Sequence, residues 1–206
     1  MTAVMGAALV AAPVAKANTI ELQIADSGGD YIGQGSINYS TPGEATYQGS
    51  LDGWSFTIIS AATAPAAGTL ASPYMDLNMS INSKGSGSLV LTFSGQNYTL
   101  AGSSTLNSGS TSLTGTFQAY GGSSDNLNDE SQALLGTALN LGSYQSVAGG
   151  SISSTDYSLT EVVTVTGGTP GSTDEILSVP DGGMTLTMLG TALVGLAAVR
   201  SKFGKH

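Results

Sequence analysis

Cysteine is absent from the 206-residue chain, and histidine occurs once, as His206. The first absence removes disulfides, thiolate metal sites and cysteine nucleophiles together. The second removes a Ser-His-Asp triad and any multi-histidine metal centre from the body of the protein. Charge is also scarce: 9% of residues are charged, against roughly 25% in an ordinary soluble domain. All 14 acidic residues fall within residues 21–181, where Lys84 is the only basic residue. Such a body cannot neutralise phosphates, which excludes nucleic acid as a partner. The same negative field favours solubility.

What the chain has in quantity is Gly, 29 residues of it, with Ser and Thr together making up about a quarter of the length. Low charge with this composition is one route to disorder. The hydrophobic fraction of 40% and its regular alternation point instead to one folded core.

The two ends differ from the body. Residues 1–15 are almost wholly apolar, and Ala15, Lys16 and Ala17 fit the A-x-A rule for signal-peptide cleavage, with Asn18 as the first mature residue. No basic residue precedes the apolar run, so the expected start of the signal peptide (residues 1–17) lies upstream of Met1. The alternative is an N-terminal core helix, for which the β-like sequence that follows offers no helical partner.

At the other end come Val179, Pro180, Asp181, Gly182 and Gly183, then an uncharged run over 184–199, then a tail over 200–206 carrying Arg200, Lys202 and Lys205. Sixteen helical residues span about 24 Å, slightly short of the usual ~30 Å hydrocarbon core. The flanking glycines and the snorkelling stem of Arg200 make a thin span feasible. The basic tail then stays cytoplasmic and everything before Val179 lies outside, the orientation that a signal peptide and the Sec translocon also require. Pro180 fixes its own φ and disfavours helix at Val179, and Gly182 and Gly183 add freedom. An extended, accessible segment is therefore expected, with 167–178 as a linker holding the body away from the bilayer.

This arrangement resembles the PEP-CTERM class of bacterial sorting signals, in its VPDSG/VPDGG variant, with Val179 to Gly183 matching the motif residue by residue. The resemblance implies recognition by an exosortase, a membrane-embedded cysteine transpeptidase or protease that cuts near the motif. It also implies a transient membrane anchor followed by release or attachment at the cell surface. The alternative is an ordinary C-terminal anchor. Residues 72–100 and 157–166 further resemble β-rich bodies common in that class, a likeness that brings no activity with it.

Between the ends, residues 18–166 read as strands. Alternating or β-branched runs occur at 19–25, 44–48, 54–58, 75–81, 89–94, 97–101, 112–119 and 157–166. Lys84-Gly85, Ser94-Gly95 and Gly121-Gly122 are the expected turns. The fold expected is all-β, an antiparallel β-sandwich or jelly-roll-like domain. Residues 132–141 fit a helix or a strand equally.

Carboxylates are the only acid–base groups the body offers, and a glycosidase needs two of them facing each other across ~5–9.5 Å, which the sequence does not display. No catalytic residue and no cofactor are therefore expected, a structural Ca²⁺ excepted. Two acidic clusters carry hard oxygen ligands suited to that ion: Asp26 with Asp30, and Asp125, Asp129 and Glu130 with Asn126 and Asn128. The second departs from the EF-hand pattern at Leu127, and solvated turn residues are the default reading of both. Trp54, with Tyr47 and Phe56 nearby, is a candidate platform for stacking on a sugar of an extracellular polysaccharide. Trp54 and Phe56 share one strand face, however, where core residues also sit. Asn38, Asn78 and Asn97 head N-x-Ser/Thr sequons that such a composition produces by chance.

The expected role is that of a non-catalytic surface or extracellular-matrix protein, with a carbohydrate-binding module as the alternative and a secreted polysaccharide-active enzyme as the third class.

Overall fold

Alternation of inward apolar and outward polar side chains is a strand's way of burying one face, and several of the thirteen strands among the described residues follow it. The computed structural model describes residues 19–33, 35–99, 101–152 and 156–180, with the single position 193. The signal-cleavage residues Ala15, Ala17 and Asn18 lie outside the described residues. So do Asp181, Gly182 and Gly183, the span 184–199 apart from Leu193, and Arg200, Lys202 and Lys205. Among the described residues no helix is long and apolar enough to cross a membrane.

The strands are β1 (Ile20–Asp26), β2 (Tyr31–Ile32), β3 (Glu44–Leu51), β4 (Trp54–Ala62), β5 (Tyr74–Ser83), β6 (Leu89–Tyr98), β7 (Gly102–Ser110), β8 (Leu113–Gly122), β9 (Ala133–Leu134), β10 (Leu139–Asn140), β11 (Gln145–Ile152), β12 (Tyr157–Gly168) and β13 (Ser172–Ser178). They form two antiparallel sheets. The first runs β10-β8-β12-β6-β1-β2, with β9 also on β8, and the second runs β11-β7-β13-β5-β4-β3. The sandwich expected from the sequence is therefore present, and residues 132–141 supply two short strands to it rather than a helix.

One core lies between the sheets. Leu22, Ile24, Leu91, Phe93, Phe117 and Val163 point into it from the first sheet, and Trp54, Ile59, Met75, Leu77, Leu106 and Leu177 from the second. Tyr98 and Tyr157 close one end, with ring centroids 5.6 Å apart and the Tyr98 hydroxyl 2.8 Å from that of Thr63. Burying the polar tip against Thr63 gives the buried phenol a hydrogen-bond partner.

Three readings of the sequence are corrected here. Ser94-Gly95 is not a turn, because both residues lie inside β6. Gly95 is there because a Cβ would overlap the Tyr98 hydroxyl, the close approach that admits glycine into a strand. Gly121-Gly122 likewise ends β8 rather than forming a turn. Finally, 167–178 is not a linker. Gly167 and Gly168 complete β12, and Ser172–Ser178 is β13, hydrogen-bonded on both sides between β7 and β5. Thr173, Glu175 and Leu177 alternate inward. The alternation is hidden in the sequence because one of the inward residues is an acid.

Candidate functional site

The C-terminal strand carries the first candidate site directly. After Ser178 the chain does not leave the domain. Val179 is 1% exposed within the core, and its N–H donates to the Pro73 carbonyl at 2.9 Å. The Pro180 carbonyl lies against Gly102, where a Cβ would stand 2.8 Å from its oxygen. Val179 is thus fixed to the sandwich, and Pro180, whose carbonyl abuts Gly102, is the first residue of the expected motif exposed to solvent.

Carboxylates form three groups. In the first, Asp26 ends β1, Asp30 precedes β2, and Asp52 occupies the turn between β3 and β4. One carboxylate oxygen from each lies within 4.8 Å of the others. The sequence paired Asp26 with Asp30; Asp52 arrives through the fold. Asp52 and Gly53 both have positive φ, 40° and 80°, the geometry of a two-residue type I′ hairpin turn that Asp-Gly favours. The Asp52 carboxyl is held above the usual carboxylate range, first by its hydrogen bond with Asp26 and then by the charge of Asp26.

The second group is the one the sequence marked as Asp125, Asp129 and Glu130. These three do not converge on a common point as the first group does. Asp125 accepts from the Asn97 N–H at 2.8 Å, and Asp129 accepts from the Ser131 N–H at 2.9 Å. Asp125 and Asn128 sit at φ 48° and 55°, conformations that short polar side chains tolerate. Asp125 and Asp129 thus serve the turn, in keeping with the default reading of this cluster.

The third group is internal. Glu161 on β12 and Glu175 on β13, one from each sheet, are both 0% exposed. Burial, then the charge of Glu175, pushes the Glu161 carboxyl well above its ordinary range. Burial likewise raises Glu175 to about 7 against an opposing hydrogen bond from Thr173. With no opening onto solvent, this pair cannot meet a substrate. On the outer face of the second sheet, Asp76 is raised to about 6 by partial burial and by the charge of neighbouring Asp174.

Trp54 is 0% exposed, and Gly85 packs so closely on its ring that a Cβ there would overlap it. Its ring is buried in the core, the alternative that its strand face offered, so the candidate sugar-stacking role does not fall to Trp54. The most exposed aromatic among the described residues is Tyr144, at 77%, ahead of Tyr31 at 54%. It borders an open groove of about 470 Å³ that is also lined by Ile58, Asn78, Thr111 and Asp174. No linear pattern marks this groove, because its lining comes from four strands and two loops.

Residues 178–203 match the VPDSG-CTERM motif, a sorting-signal element consistent with an exported protein and a C-terminal anchor. No curated protein matches the chain.

Proposed function

We propose that this VPDSG-CTERM-bearing chain is an exported, non-catalytic β-domain that an exosortase-type system processes at its tail. The product then remains at the cell surface or in the extracellular matrix. The observation that carries this reading is the junction: the motif match begins at Ser178, the last residue of a central strand. Domain and sorting tail therefore meet without a spacer, and the sandwich stands directly at the membrane surface until processing. Because Val179 is buried in the core and Pro180 is the first exposed residue of the motif, cleavage falls after Val179, and the domain keeps β13.

Cell fractionation tests the reading. In cells lacking exosortase the full-mass chain is expected in the membrane fraction, while exosortase-positive cells yield a shortened chain outside it. Identical mass and fraction in both backgrounds would refute it.

Tyr144 and its groove favour a second reading, in which the domain holds a polysaccharide. An exposed ring beside Asn78 and Asp174 offers a stacking face with hydrogen-bonding edges, the combination that fixes an apolar-faced ligand. Glycan-array binding lost in Tyr144→Ala and kept in Trp54→Phe supports this reading, and absence of binding by the wild-type protein excludes it.

A further inference from the structure

The loops at one end of the sandwich bring carboxylates from both sheets to one point. Asp26 and Asp30 belong to the first sheet, through β1 and β2, and Asp52 belongs to the second, through the β3–β4 hairpin. Both loops are held in place. Ser27 N–H donates to the Ser88 carbonyl at 2.9 Å, and Ser83 donates to the Gly53 carbonyl at 3.2 Å. Asp30 N–H donates to Asp26 Oδ1 at 2.8 Å, which orients the Asp26 carboxylate toward the other two.

The second oxygen of that carboxylate is the independent observation. Asp26 is 8% exposed, and its Oδ2 is buried with no N–H or hydroxyl donor among the described residues; the Asp52 carboxyl bonds Asp26 only when it carries a proton. A buried carboxylate oxygen left unpaired is costly. Among the described residues no basic side chain supplies the missing charge. Lys84 is the only basic residue between 17 and 199, and its ammonium lies by Gly167 and Thr114. Space is kept at the site: a Cβ on Gly28 would stand 3.3 Å from both Asp26 oxygens.

We propose that Asp26, Asp30 and Asp52 bind a Ca²⁺ ion that ties the two sheets together. Three hard carboxylates on two loops, completed by water, suit the flexible six- to eight-fold coordination of Ca²⁺ better than the strict octahedron of Mg²⁺. The ion takes the place of the missing disulfide in a chain without cysteine, and it neutralises three acids that otherwise repel. Affinity in the range of extracellular modules, about 10⁻⁴–10⁻³ M, matches a domain that works outside the cell.

The test is thermal melting of the full chain in mild detergent after EDTA treatment, with CaCl₂, with MgCl₂, and with KCl at matched ionic strength. At ten to a hundred times the dissociation constant, CaCl₂ is expected to raise the melting temperature by about 3–10 °C. The shift is lost in Asp52→Asn, whose side chain keeps the left-handed turn, and in Asp26→Asn, which keeps the acceptor for Asp30 N–H. Asp125→Asn retains it. No CaCl₂ response beyond that of KCl overturns the proposal, as does a full response in Asp26→Asn or Asp52→Asn. An equal response to MgCl₂ overturns the assignment to Ca²⁺.

Discussion

Replacing Glu175 by Gln isolates the effect of an acid placed inside the core. The wild-type carboxyl is raised from 4.5 to about 7 by burial. The folded state therefore holds its proton to about pH 7, whereas the unfolded chain releases it near 4.5. Between those values the folded state binds more protons, so stability falls as pH rises. The contribution is full below 4.5 and exhausted above about 7. At ~1.4 kcal/mol per pH unit, this window corresponds to about 3 kcal/mol, or about 6–12 °C in melting temperature for a domain of this size. Glu161 adds in the same direction, since burial raises it too. Gln keeps the acceptor for Thr173 and cannot ionise. Melting followed by circular dichroism at half-unit steps from pH 4.5 to 8 should show wild type losing stability across the window and Glu175→Gln losing less by that margin. The slope is the readout, because any fixed cost of burying an amide shifts the whole mutant curve equally. Parallel curves, or a wild type that gains stability toward pH 8, would refute the reasoning.

Trp54→Ala removes a fully buried ring and is expected to cost about 3–5 kcal/mol, read as a lower denaturant midpoint. The same mutation should leave any glycan binding unchanged at a temperature where the domain stays folded. Signal-peptide removal after Ala17 predicts Asn18 as the N-terminal residue of the exported protein. N-terminal sequencing that begins upstream of residue 18 would count against that cleavage site.

The long strands were legible where inward positions are aliphatic or aromatic. Residues 157–166 of β12 were legible through Tyr157, Leu159, Val163 and Val165 despite the inward Glu161, and β5 alternates through Met75, Leu77, Met79 and Ile81. Strands whose inward residues are small or acidic were not legible. In β7 the inward residues are Ser104, Leu106 and Ser108, and in β13 they are Thr173, Glu175 and Leu177. Hydrophobic patterning cannot find an inward hydroxyl or acid, because its burial depends on neighbours brought in by the fold. The same limit applies to the carboxylate site. Asp26 and Asp30 are four residues apart and were paired from the sequence, while Asp52 reaches them only when the two sheets face each other. Asp125 and Asp129 were close in sequence and serve the turn instead. The C-terminal motif was read residue by residue, yet its first residue belongs to the core, a fact set by the pairing of β13 with β5 and β7.

The junction at Val179 is tested most directly by the intact mass of the protein recovered from outside the cell. A C-terminal residue at or just beyond Val179, with 184–199 removed, is the expected result. An end upstream of Val179, which would cut into β13, or recovery only of chains extending to His206, would contradict processing at the boundary of a completed sandwich.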